Sequence, residues 1–272
     1  MKTYEAKIFM KKNHRLAESP FYDERYKRLS WVDIIEGKLY TLDENEKLEC
    51  VEFGQMIGAA VPLPDEDGYM VAATDGIYTV KGGVKEKVFD LTKVYEPGQR
   101  SNDAKMDSEG RLWFGSVVYD GKSTQHGDLF SYKDGEVVCR FKGTKLSNGM
   151  AWNKANDKFY FSDSDEKKVF VFDYDKTTGD ITNRRTLFDI EKGVPDGMFI
   201  DEDDNLWVAI WNAYKLEKRD GVTGEKLAEV KVPAEEVSSC CFYGDKKRMF
   251  ITTASESVSG EWDGCLYECY ID

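Results

Sequence analysis

The sequence predicts an all-β fold, a six-bladed β-propeller closed by an N-terminal strand in the last blade, and three observations predict it. First, six segments share one pattern: residues 18–23 (ESPFYD), 60–65 (AVPLPD), 102–107 (NDAKMD), 148–153 (NGMAWN), 196–201 (DGMFID) and 239–244 (SCCFYG) each run five residues to an Asp, Asn or Gly. Their first residues lie 42, 42, 46, 48 and 43 positions apart, and a repeat of about 45 residues marks propeller blades of four strands each. Second, a short β-branched or aromatic run follows every segment. Third, no long amphipathic helical pattern interrupts the series.

The elements follow in order. Second strands read at residues 29–33 (LSWVD), 69–73 (YMVAA), 112–115 (LWFG), 159–162 (FYFS), 206–209 (LWVA) and 249–252 (MFIT), too short for helices and rich in strand formers. Turn residues precede them, at Asp67-Gly68, Glu109-Gly110, Asn156-Asp157 and Asp203-Asp204-Asn205. Third strands are expected at 38–41, 76–80, 128–131, 169–172, 214–217 and 264–267. The last unit reaches Asp272 before a fourth strand, whereas residues 4–9 (YEAKIF) are a spare strand. This strand is expected to complete the final blade and cover its open edge. Residues 93–96 and 235–236 read as loop. Residues 1–272 are expected to form a single domain.

Composition narrows the function. With 38 basic and 51 acidic residues, the net charge is −13, which disfavours nucleic acid and anionic membranes as partners. Six cysteines form no CxxC pair and no zinc-ligand spacing; they read as buried free thiols. The N-terminus carries no apolar signal segment and no stretch is long enough to cross a bilayer, so a cytoplasmic location is expected. Only His14 and His126 are present, which rules out a clustered-histidine zinc centre. Both read as surface residues. There is no G-x-S-x-G elbow, P-loop or dinucleotide fingerprint.

What remains is the set of segment heads. If the six segments are equivalent strands of a ring, their first residues converge on one axis. Glu18, Asn148 and Asp196 then supply two carboxylates and an amide oxygen, and Asn102 a second amide. Hard oxygen ligands suit Ca²⁺, Mg²⁺ or Mn²⁺, and carboxylates also admit Zn²⁺. Three or four protein ligands leave open positions for water and substrate. Ala60 and Ser239 are the other two heads. The competing reading is that polar heads merely cap strands at the mouth of the ring. Tyr119 and Trp211 are candidate walls for a bound ring, against the usual role of aromatics as core.

At these residues the sequence resembles the regucalcin (senescence marker protein)/gluconolactonase (SGL) family. The resemblance rests on residues 16–24 with 29–33, 100–103 with 107–115, 146–152, 195–201 with 205–209, and 238–242, in order along nearly the whole chain. It implies a six-bladed propeller with one divalent metal in its channel, Ca²⁺ first and Zn²⁺, Mn²⁺ or Mg²⁺ as alternatives. It implies a sugar-acid lactone as the small-molecule substrate; some relatives hydrolyse organophosphate esters. By match of motif, Glu18, Asn148 and Asp196 would hold the metal and Asp196 would double as the base. Arg100 and Asn102 would contact substrate, with Tyr119 beside them. Three departures bear on substrate choice: Ala104 where the family carries glycine, Trp211-Asn-Ala213 in place of a Trp-Gly-Gly-like turn, and residues 117–121 (VVYDG) in place of an acidic contact segment. A non-catalytic propeller that binds partners and a calcium-binding regulatory protein are the readings outside enzymology.

Overall fold

The computed structural model describes residues 1–119, 126–244 and 247–272. The chain is all-β and propeller-like, and its only helical pieces among the described residues are the single 3₁₀ turns Leu91–Lys93 and Ser164–Glu166. Each repeat begins with an inner strand: Ala17–Asp23, Ile57–Pro62, Gln99–Met106, Ser147–Trp152, Val194–Ile200 and Glu236–Tyr243. Each pairs antiparallel with the strand that follows it. The six inner strands neighbour one another in a closed cycle, the last packing back on the first.

Four of the repeats are separate four-stranded sheets, and the rest of the chain forms one nine-stranded sheet. That sheet contains the runs begun by Val194–Ile200 and Glu236–Tyr243, and a single residue pair, Trp211 with Glu236, links them. The expected N-terminal strand is two strands broken at Ala6. Lys7–Met10 pairs with Leu266–Tyr270, as expected of a closing strand, while Lys2–Glu5 runs parallel to Lys226–Lys231 in the neighbouring run. The chain end thus ties two runs together, and Ala6 N–H still donates to Lys231 O at 2.9 Å. Glu236, expected in a loop, is a fully buried strand residue.

The tails of the third and fifth segments show why the local sequence turns where it does. Asp107 Oδ1 accepts the backbone N–H groups of Glu109 and Arg111, and its Oδ2 accepts the Trp113 indole N–H at 2.9 Å. Asp201 repeats this with Asp203, Asn205 and Trp207. A short acceptor can close a turn on its own backbone, and here it also anchors the next strand's tryptophan. Trp31, Trp113 and Trp207 are each at most 1 % exposed. An indole buries on the order of 200 Å², worth about 5 kcal/mol as an upper figure; Trp31 and Trp113 sit in clusters that join neighbouring sheets, and Trp207 in the core of the nine-stranded sheet.

His14 is a core residue rather than a surface one. Its Nδ1 lies 3.0 Å from Gly264 O and 3.1 Å from Lys12 O, and its Nε2 accepts the Trp31 indole N–H at 3.1 Å. Those contacts require the neutral tautomer protonated at Nδ1, and burial holds the ring's pKa below its ordinary value. His14 therefore fastens the N-terminal segment to the last repeat. Of the cysteines, Cys240, Cys241, Cys265 and Cys269 are buried free thiols, whereas Cys50 and Cys139 are exposed. No helix among the described residues is long and apolar enough to cross a membrane.

Candidate active site

Every inner strand carries a register shift near its start. The shifts fall between Glu18 and Phe21, Ile57 and Ala59, Ser101 and Ala104, Ser147 and Met150, Pro195 and Met198, and Val237 and Ser239. A bulge releases its residues from the ladder and re-aims their side chains. Asn102, Asp103, Asn148 and Asp196 all lie inside these bulges, and Glu18 stands at the edge of one. Ser19, just after Glu18, has a left-handed φ of 50°, a strained conformation of order 1 kcal/mol or more; its N–H is held by the Glu18 carboxylate. In the second and last repeats the bulge holds Gly58 and Ser238, so Ala60 and Ser239 are not the equivalents of Asn102 and Asp196. Gly58 is required there: a Cβ would stand 2.0 Å from Asn102 O. Gly149 and Gly197 meet the same limit, with a Cβ 2.5 Å from Asp196 O and 2.3 Å from Ser239 Oγ respectively.

Glu18, Arg100, Asn102, Asn148 and Asp196 line one cavity of about 340 Å³. All five are at most 7 % exposed. Tyr119, which is 44 % exposed, stands outside this lining, with its ring centroid 5.1 Å from the Arg100 guanidinium carbon. Trp211 does line the cavity. Asn102 is more committed than expected of a metal neighbour. Its Oδ1 accepts Arg100 Nη1 at 2.8 Å and its Nδ2 donates to Ser147 O at 2.9 Å. It thus spaces Arg100 from the next inner strand. Asn148 Nδ2 donates to Ser164 Oγ at 3.1 Å, and that hydroxyl donates to Pro195 O at 2.7 Å, so the fourth and fifth inner strands are joined directly beneath the site.

The electrostatics are those of crowded carboxyls in a dry place. Burial, then the charges of Asp196 and Asp103, hold the Glu18 carboxyl well above its ordinary range. Burial, then Asp103, do the same to Asp196. Asp103 is itself raised by burial. Two cations face them. Burial pulls the Arg100 guanidinium down to about 10, so it stays charged at neutral pH. Lys105, also lowered by burial, donates to Met198 O at 2.6 Å.

Sequence reasoning missed Asp103, Asp165, Asn212 and Glu256 in this lining. All but Asp103 follow the ends of second strands. Each second strand runs antiparallel to its inner strand and returns to the end where the heads lie. Residues just after a second strand are therefore the positions to inspect. Glu256 is placed by Glu236, whose carboxylate accepts the N–H groups of Glu256 at 2.7 Å and Ser257 at 3.0 Å.

The donor set fits a divalent ion. Glu18 Oε1 is buried without a hydrogen-bond partner, and a second carboxyl and an amide share its cavity. A buried carboxylate that lacks a partner is costly, and a hard cation removes that cost for both acids at once. Among the described residues no three His, Cys, Asp or Glu side chains gather as a metal cluster; the set is two carboxyls completed by an amide.

The family model described as "SMP-30/Gluconolactonase/LRE-like region" matches residues 16–255. The chain belongs to this family. Among its SMP-30/gluconolactonase relatives, regucalcin of Xenopus laevis is 33 % identical over 273 residues, covering 96 % of this chain and 91 % of the relative. The structure of regucalcin from Agrobacterium tumefaciens, described as a calcium-binding protein, superposes with a TM-score of 0.92 at 23 % identity, covering 100 % of this chain and 96 % of the other. A gluconolactonase from Xanthomonas campestris gives a TM-score of 0.78 at 17 % identity over 97 % of this chain and 89 % of the other. At those identities the two structures speak for the fold of this family member and not for its substrate.

Proposed function

We propose that this chain is a divalent-metal-dependent hydrolase that opens a sugar-acid lactone. The reading treats residues 1–272 as one domain of six blades, counting the nine-stranded sheet as two blades joined by the Trp211–Glu236 pair and edged by Lys2–Glu5. The observation that carries the function is the convergence of Glu18, Asn148 and Asp196, with Arg100 and Asn102, on one buried cavity. Family membership and the gluconolactonase among its structural neighbours support the substrate class.

In this reading Glu18, Asn148 and Asp196 hold the ion, and Ca²⁺ is the first choice because regucalcin is described as calcium-binding. When bound, a divalent ion supplies Lewis-acid polarisation of the lactone carbonyl. Asp196 takes a proton from the attacking water as the water oxygen bonds to the acyl carbon. The ring C–O bond then breaks, and the same proton passes to the departing ring oxygen to give the open hydroxy acid. Arg100, charged and fixed against Asn102, presents its guanidinium N–H groups to substrate oxygens. Tyr119 stacks on Arg100 from the solvent side and limits its motion.

The deciding experiment is lactone hydrolysis by metal-stripped protein with Ca²⁺, Mg²⁺, Mn²⁺ or Zn²⁺ restored, beside a phosphotriester control. Rescue of aldonolactone opening by at least one ion is expected. No rescue by any ion would sink the mechanism, and preference for the phosphotriester would change the substrate class.

A further inference from the structure

Glu18, Asp103 and Asp196 stand on the first, third and fifth inner strands and line the head cavity together. The half-buried Lys105 is tied to the same three strands. It belongs to the third, two residues beyond Asp103, and its side chain reaches across the ring. Its Nζ donates to Met198 O of the fifth inner strand at 2.6 Å and lies 5.9 Å from the ring centroids of Phe21, on the first, and Phe199, on the fifth. Phe21 and Met198 follow Glu18 and Asp196 by three and two residues. The ammonium therefore lies on the tail side of the three acids, held by the strands that carry them. Phe21 and Phe199 also help to wall a separate aromatic cavity at the tails, with Trp152, Trp207 and Phe242, so Lys105 stands between the two cavities.

The hydrogen bond of Lys105 goes to a neutral carbonyl, so its charge acts on the acids as a field across the ring. Burial and the neighbouring acids raise the Glu18 carboxyl, and the Lys105 charge opposes that rise. Burial raises Asp103 as well, and Lys105 again opposes it. The other cation of the site, Arg100, is bound to Ser101 O and Asn102 Oδ1, and the acid whose charge it feels is Glu256.

We propose that Lys105 is a built-in counter-ion of the metal site, which steadies its carboxylates when no ion is bound and limits how tightly a divalent ion is held. This role rests on Glu18, Asn148 and Asp196 holding the ion, as proposed above. Without Lys105 the acids of the metal-free chain repel one another unopposed, and that chain loses stability. A divalent ion then meets a more negative site with no ammonium to repel it, and binds more tightly. A residue that served packing alone would weaken the metal-free and metal-bound chains equally.

The first test is a double-mutant cycle in the metal-stripped full chain, read by urea denaturation at about pH 8. Lys105→Met is compared in the wild-type background and in the Glu18→Gln, Asp196→Asn background, where two of the acids carry no charge. The bond to Met198 O is lost in both, so its loss cancels. The unfolding equilibrium constant is expected to rise about tenfold more in the wild-type background. Equal losses in the two backgrounds, or failure to fold in both, would overturn the proposal; folding in the neutralised background alone would support it. The second test is calorimetric titration with Ca²⁺, Mg²⁺, Mn²⁺ and Zn²⁺. Lys105→Met is expected to bind the preferred ion about tenfold more tightly than wild type, and Lys105→Arg to stay within about twofold. If the wild-type chain binds no divalent ion, the metal reading falls and this proposal with it. If it binds one and Lys105→Met binds it no more tightly, only this proposal falls.

Discussion

Asp196 and Asp201 lie at opposite ends of one inner segment, and the fold holds them in opposite states. Asp201 accepts N–H groups from Asp203, Asn205 and Trp207 and an ion pair from Lys218 at 2.9 Å, and its pKa is lowered although burial opposes this. Asp196 is 7 % exposed, faces Asp103, and is pushed well above its ordinary range. The same contrast separates Glu18, raised, from Asp23, lowered and bound by Arg25 at 2.7 Å. Hydrogen bonds spent at the tail stabilise the strand. Bonds left unmade at the head cost stability and leave oxygen atoms available to a ligand.

The contrast can be broken in four ways, taken from the largest expected effect to the smallest. At the head, Asp196→Asn should lower kcat by about 10²–10⁴-fold with an unchanged circular dichroism spectrum. Retained turnover at wild-type metal content would remove Asp196 as the base. At the tail, Asp107→Ala should cost about 3–5 kcal/mol in urea denaturation, because it removes the only carboxylate paired, among the described residues, with Arg111, whose Nε lies 2.7 Å from it in a buried pair. A loss under about 1 kcal/mol would show the tail to be no anchor.

The third test uses pH, and the sign differs between the two ends. The Asp107 pKa is lowered below its ordinary 3.8. Its contribution is therefore present above that value and lost as pH falls through the folded value. The Asp196 pKa is raised above its ordinary 3.8. Its ionised form is penalised in the folded metal-free chain, so stability is gained as pH falls from the folded value towards 3.8. Metal-stripped Asp196→Asn should therefore exceed wild type in stability at about pH 8 by a margin that shrinks at about pH 5. Asp107→Asn should fall below wild type at both. The smallest effect is expected outside the cavity: Tyr119→Ala should raise KM about threefold with little change in kcat. An equal fall in kcat would place Tyr119 in the chemistry.

Much of the fold was legible because its signals are local. Asp107 and Asp201 close turns on their own backbone, and the runs LWFG and LWVA follow at once, so segment, turn and second strand can be read from a dozen residues. The candidate metal set was legible for a related reason: Glu18, Asn148 and Asp196 occupy one position of a repeat. The same reasoning misplaced Ala60 and Ser239, since a bulge with one fewer residue puts Gly58 and Ser238 in that place. It also misjudged His14, whose burial depends on Gly264 and Trp31, and the N-terminal strand, whose break at Ala6 depends on Lys231.

By itself, then, the sequence determined the repeat, its turns, the second-strand tryptophans and the family, all of which depend on neighbouring residues and on order along the chain. Only the tertiary structure decided that Asn102 is committed to Arg100 and Ser147, and that Glu236 carries Glu256 to the head cavity. It also decided that the tails meet in an aromatic cavity of their own. The physical reason is ring closure. Packing the last inner strand on the first brings together loops that no local pattern relates, and the partners found there set which carboxyls are bonded and which are left unpaired.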